Sequence, residues 1–182
     1  MTRSLARALF AALAAAFAFA GVAEAASKEK IDRRVARALE DFRDDVDGAN
    51  SLLSRAAGVL VFPSVKKAGI GVGGEYGEGA LLIGGRTVDY YSTASASFGF
   101  QLGAQARTQI VVFLDGEVLK DFRESDGWEV GVDGSVAVIT VGAGGTIDST
   151  NLNQPVVAFV FNNKGLMYNL SLEGSKISKI DR

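Results

Sequence analysis

The apolar residues of this chain change their spacing once, near Gly58, and that change limits the fold more than any other feature. From Ser27 to about Ala57 they recur at steps of three and four, at Ile31, Val35, Leu39, Phe42, Val46, Ala49 and Leu53. That is the period of a helix with one apolar stripe. Gly48 and Asn50 interrupt it, so the spacing predicts a long helix followed by a short one ending before Gly58. Beyond Gly58 the step becomes two, glycine is frequent, and proline stands only at Pro63 and Pro155. The rest of the chain therefore reads mostly as strand.

Ser95 to Arg107 alternates without a break, with Ala96, Phe98, Phe100, Leu102, Ala104 and Ala106 on one side. It reads as one long strand, bent at Gly99 or Gly103, whose apolar side is packed core or the lining of an acyl-chain cavity. Thr108 to Leu114 suits a central strand covered on both faces. Asp115 is placed to cap a short helix carrying Val118, Leu119 and Phe122, and Asp126-Gly127 turns the chain back into an alternating strand from Trp128 to Val138. Val156 to Phe161 and Leu166 to Leu172 read as a hairpin about Asn162 to Gly165. With Val59 to Phe62, Gly69 to Tyr76, Ala80 to Ile83 and Val88 to Ser92 the count is about nine strands. The predicted class is α+β, predominantly β: a twisted antiparallel sandwich or partly closed barrel with an N-terminal amphipathic helix and one short helix.

Ahead of this body, Arg3 and Arg7 precede an apolar run from Ala8 to Ala23, and Ala23-Glu24-Ala25 supplies small residues at the spacing a signal peptidase reads. The run is short for a bilayer span, which needs about 20 apolar residues. Residues 1–25 are thus expected to be a cleaved signal peptide, and 26–182 a single exported domain, in the periplasm or at the cell envelope. The full chain of 182 residues has a net charge of -2; the leader holds two arginines and one glutamate, leaving 17 basic and 20 acidic residues, a net of -3. That balance disfavours nucleic acid as a partner.

The chain contains neither histidine nor cysteine. Nucleophile systems that need imidazole, thiolate metal sites and ordinary zinc sites are excluded, and no cofactor is implied. An enzyme working through two carboxylates in one cleft stays open, as does a small outer-membrane β-barrel, although few aromatics are present to form girdles.

Several segments carry a family resemblance. Ala56-Ala57-Gly58-Val59-Leu60-Val61-Phe62, Lys67-Ala68-Gly69, Ser97-Phe98-Gly99-Phe100-Gln101-Leu102-Gly103-Ala104, Lys164-Gly165-Leu166 and Ser171-Leu172-Glu173-Gly174-Ser175 follow a helical lead in the order and approximate spacing of the SYLF domain. The chain resembles the exported, stand-alone bacterial members of that family. Eukaryotic members bind phosphoinositides and some bind actin, so the resemblance implies a non-catalytic, lipid-facing domain. It leaves the particular lipid open.

Candidate lipid contacts are bases. Between Ser27 and Leu39, Lys28, Lys30, Arg33, Arg34 and Arg37 stand against Glu29 and Asp32, a local net of +3. Anionic phospholipid or another envelope lipid would gather there in a peripheral membrane contact; the alternative is a solvated helix face. Lys66 and Lys67, in a loop after Pro63, are a second candidate, with Lys67 in the family's Lys-Ala-Gly motif; the alternative is a solvated pair blunting a strand edge. Lys176, Lys179 and Arg182 read as a solubilising end. The glycine-rich stretch Gly71 to Gly79 lacks a Gly-Lys-Ser/Thr ending and reads as close strand approach, not a phosphate loop. A homo-oligomer stays open.

Overall fold

The computed structural model describes residues 27–70, 72–98, 103–141, 154–164 and 174–182. The leader and the expected strand from Leu166 to Leu172 lie outside these. Helix α1 (Lys28–Asp45) starts where the Ser27 side chain accepts from the Lys30 amide, and it ends at Val46. Gly48 then takes a left-handed conformation, φ +83°, and opens α2 (Ala49–Arg55). The break falls where the glycine foretold it.

Eight strands follow among the described residues: β1 (Gly58–Ile70), β2 (Val72–Ile83), β3 (Arg86–Phe98), β4 (Gly103–Phe113), β5 (Trp128–Glu129), β6 (Val136–Thr140), β7 (Val156–Lys164) and β8 (Lys176–Ile180). Helix α3 (Gly116–Glu124) lies between β4 and β5, with the Asp115 carboxylate accepting from the Glu117 and Val118 amides. The strands form one curled half-barrel sheet in the order β5-β8-β3-β2-β1-β4-β7-β6. The partly closed barrel is thus the form adopted, rather than the sandwich. Its pairs are antiparallel except β6 with β7, which is parallel.

Alternation serves two cores at once. Val59, Val61, Ile110, Val112, Val157 and Phe159 face the stripe of α1 and α2, made of Ile31, Val35, Ala38, Leu39, Phe42, Val46, Ala49 and Leu52. The intervening residues Leu60, Phe62, Val111, Phe113, Val156, Ala158 and Val160 face Leu119 and Phe122 of α3 and Trp128. The Phe42 ring meets Phe159 edge-on at 4.8 Å, and burying it fully contributes on the order of 3 kcal/mol. Covered on both faces, β1, β4 and β7 are the continuous apolar runs of the sequence.

Strand boundaries depart from expectation in four places. Gly69 to Tyr76 and Ala80 to Ile83 do not form separate strands, because β1 runs on to Ile70 and one hairpin partner, β2, spans Val72 to Ile83. Ser95 to Arg107 is not one strand either: β3 ends opposite Val72 of β2, and β4 begins opposite Gly69 of β1, on the other flank of that hairpin. Trp128 to Val138 divides into β5 and β6, separated by a turn in which Val132 is exposed. The C-terminal residues, read as a solubilising end, form β8 instead. It pairs with β3, buries Ile177, and is held by Lys179 to Asp89 at 2.5 Å and Arg182 to Glu78 at 2.6 Å.

Pro63, which has no amide to donate, coincides with a shift in the register of β1 against both neighbours. The bulge brings β1 so close to β2 that a Cβ at Gly79 would fall on the Val61 carbonyl oxygen and 2.8 Å from Phe62 Cδ1. Close approach is therefore what Gly77 and Gly79 of β2 provide, whereas a Cβ at Gly74 would make only an ordinary contact.

Candidate functional site

Successive residues of a helix are rotated by about 100°, so a run of bases cannot all face one way. With Ile31, Val35 and Phe42 turned to the sheet, Lys28 and Asp32 fall on one flank of α1. There Asp32 accepts from the Thr87 hydroxyl and the Tyr90 hydroxyl, both at 3.0 Å, and the Lys28 ammonium stands 6.0 Å from the Tyr90 ring centre. This flank anchors the helix to β3.

Arg34 and Arg37 emerge on the opposite flank, beside the β1 bulge. They form one wall of a cleft of about 410 Å³ whose other wall is Pro63, Ser64, Ala106 and Thr108. Ala38 lies between the arginines and the sheet, Asp41 lines the cleft one turn farther along, and Arg107 contributes from β4. The Thr108 hydroxyl donates to the Pro63 carbonyl at 3.3 Å and fastens the bulge to β4. Neither Arg34 nor Arg37 has an ion pair among the described residues.

The remaining candidates separate. Lys30 and Arg33 are exposed, with Arg33 on the side of α1 away from the sheet. Lys66 is exposed and stands in register with Ala106. Residues directly opposite in an antiparallel pair share a face, so Lys66 leaves the sheet on the cleft side. Lys67, one residue on, points to the other face and pairs with Glu75 at 3.2 Å. The two lysines sit within strand β1, not in a loop. Of the seven candidates, the structure brings together Arg34 and Arg37, with Lys66 on the same face.

Lys67 leads to a cluster that the sequence did not reveal. Glu75, only 8% exposed, also accepts from Arg107 Nη2 at 2.5 Å, linking β2, β1 and β4. With its amide oxygen turned to the guanidinium, Gln109 accepts from Arg107 Nη2 and Nε at 2.9 Å. Burial holds the Arg107 guanidinium below its ordinary pKa, against the opposing effect of Glu75, and it remains a cation at neutral pH. These groups satisfy one another and tie together the three strands bordering the bulge.

Among the described residues no helix is long and apolar enough to cross a membrane, a statement that says nothing of strands. Comparison with known proteins adds one finding: residues 94–182, from β3 to the C-terminus, match the family model Ysc84, described as Las17-binding protein actin regulator. No curated protein matches the chain. The matched span takes in β4, which with β1 forms one wall of the cleft, and β8, which lies between β3 and β5 in the sheet. Residues 94–182 thus match the model of the Ysc84, or SYLF, family, the family that the sequence segments resemble.

Proposed function

We propose that this protein is exported and binds anionic lipid without catalysis, taking the phosphate of a head group in the cleft between α1 and the β1 bulge. The observation that carries this reading is the pair Arg34 and Arg37 on one wall of that cleft, with Lys66 on the same face of the sheet. Two guanidinium forks one helical turn apart suit a phosphate's several acceptor oxygens. The cleft volume of about 410 Å³ falls in the range of small-molecule sites.

The family description speaks of binding and regulation, which favours a binding role here. The leader with Arg3 and Arg7 would carry the chain across a membrane, away from actin, so lipid is the partner whose chemistry the cleft retains. Against an outer-membrane barrel, β1, β4 and β7 pack both faces against helices or Trp128, leaving no outward apolar band on them.

Co-sedimentation of the purified protein with vesicles tests the reading. Binding to phosphatidylglycerol vesicles, weak on phosphatidylcholine vesicles and fading as salt rises, is the expected result. Equal recovery in the supernatant with both vesicle types at low salt would refute it.

A further inference from the structure

Lys30, Arg33, Arg37, Glu40 and Asp44 follow one another at steps of three and four, so they make a single stripe along α1, and Asp47 follows in the turn past the extended Val46. All six are exposed, the five of the stripe on the side of the helix away from Ile31, Val35 and Phe42. Among the described residues none of the six is in an ion pair.

The charge order is three bases followed by three acids. Within one molecule this order is unfavourable, because it opposes the helix dipole and sets Arg33 against Arg37 and Glu40 against Asp44 at the four-residue spacing of facing neighbours. Arg37 and Glu40 are the exception, three residues apart and of opposite sign. Glu29, next to Lys30, subtracts from the basic half.

Read backwards, Arg33, Arg37, Glu40 and Asp44 have the same steps and the opposite signs. An identical helix laid antiparallel across it would set Arg33 opposite Asp44 and Arg37 opposite Glu40, a two-fold axis would repeat both pairs, and Lys30 would lie toward the turn that carries Asp47. We propose that a second copy of this chain docks on the outer face of α1 in this antiparallel register, forming a weak dimer held by charge. The contact is polar and solvent-exposed, so it is concentration-dependent and screened by salt. It does not require lipid; Arg37 belongs to both the cleft and the stripe, so association measured without lipid is what separates this proposal from the lipid reading.

Sedimentation equilibrium without lipid tests it. At low ionic strength the protein should show a monomer–dimer equilibrium that weakens at least tenfold in about 0.5 M salt, where the screening length falls to about 4 Å. The doubly reversed variants Arg33→Glu/Arg37→Glu and Glu40→Lys/Asp44→Lys should each be monomeric, and mixing them should restore a dimer containing one of each. The wild-type salt dependence gives a reading that needs no variant to fold. Wild-type protein that stays monomeric at low salt, a dimer indifferent to salt, or a mixture of variants that fails to associate would each overturn the proposal.

Discussion

Replacing Glu75 by glutamine should cost more stability than any exposed ion pair in the molecule. The carboxylate is 8% exposed and lies between Lys67 at 3.2 Å and Arg107 at 2.5 Å. A neutral amide would leave two buried cations sharing a site, with the Gln109 oxygen still available to Arg107 but no negative charge. Removing one partner of a buried pair typically costs about 3–5 kcal/mol, whereas exposed pairs are worth about 1 kcal/mol or less. Lys67 is 13% exposed, and its ammonium can turn toward water, so the lower end, about 3 kcal/mol, is expected. In urea, with a slope of about 2 kcal/mol/M, the midpoint should fall by about 1.5 M. The triple replacement Lys67→Met/Glu75→Leu/Arg107→Met should recover most of that loss, because charges and counter-charge leave together. If Glu75→Gln shifted the midpoint by less than about 0.3 M, or if the triple variant were no better than the single one, the three strands would not be tied in the way described.

Gly79→Ala should be poorly tolerated, losing about 3 kcal/mol or more in urea unfolding, because the new methyl would meet the Val61 carbonyl and Phe62; Gly84→Ala, in open space but at φ +57°, should lose about 1 kcal/mol through backbone strain alone. Alkaline pH should unfold the protein. Burial, then Asp89, pushes the Tyr91 phenol up to about 12, and burial, the hydrogen bond to Asp32 and its charge push Tyr90 up to about 12. Above about pH 10 the unfolded chain gives up protons that the fold keeps, so stability is complete below pH 10 and falls as pH rises toward 12. Tyrosinate absorbance rising together with loss of structure, rather than before it, is the check. Deleting residues 176–182 should lower the thermal midpoint by several degrees, since it strips Ile177 from the core and two ion pairs from β3 and β2; an unchanged midpoint would return the C-terminus to the role of a solubilising end.

The sequence was most legible where structure is set locally. The α1 stripe, the break at Gly48 and the Asp115 cap all depend on neighbours within four residues, and each appears as read. Strand bounds and partners depend on residues far apart, and there the structure departs from the expected bounds. Nothing near Gly99 or Gly103 signals that β3 and β4 belong on opposite flanks of the β1–β2 hairpin. In the C-terminal Lys176-Ile177-Ser178-Lys179-Ile180 the two lysines fall on opposite faces of β8 and only Ile177 is buried, so no apolar alternation marks the strand, and three bases in seven residues read as a tail. Within the site, the bases of α1 were visible, but which of them share a flank follows only from where the stripe meets the sheet. Lys67 illustrates the same limit: one residue separates it from Lys66, and strand alternation sends it to the opposite face to meet Glu75. The one available hint to the buried cluster was Arg107 and Gln109, two polar residues at a two-residue step leading into an apolar run.

The central claim is that the cleft wall of α1, rather than charge in general, binds lipid. The most direct measurement compares the partition of Arg34→Glu/Arg37→Glu into phosphatidylglycerol vesicles at low salt with that of the charge-matched Arg43→Glu/Arg55→Glu, whose exposed bases lie outside the cleft. Each base near an anionic surface contributes about 1 kcal/mol, so reversing two should cost about 2–4 kcal/mol, or roughly 30- to 1000-fold in partition. The account predicts that loss for the cleft variant and a change of a few-fold at most for the control; equal losses in both, or none in the cleft variant, would contradict it.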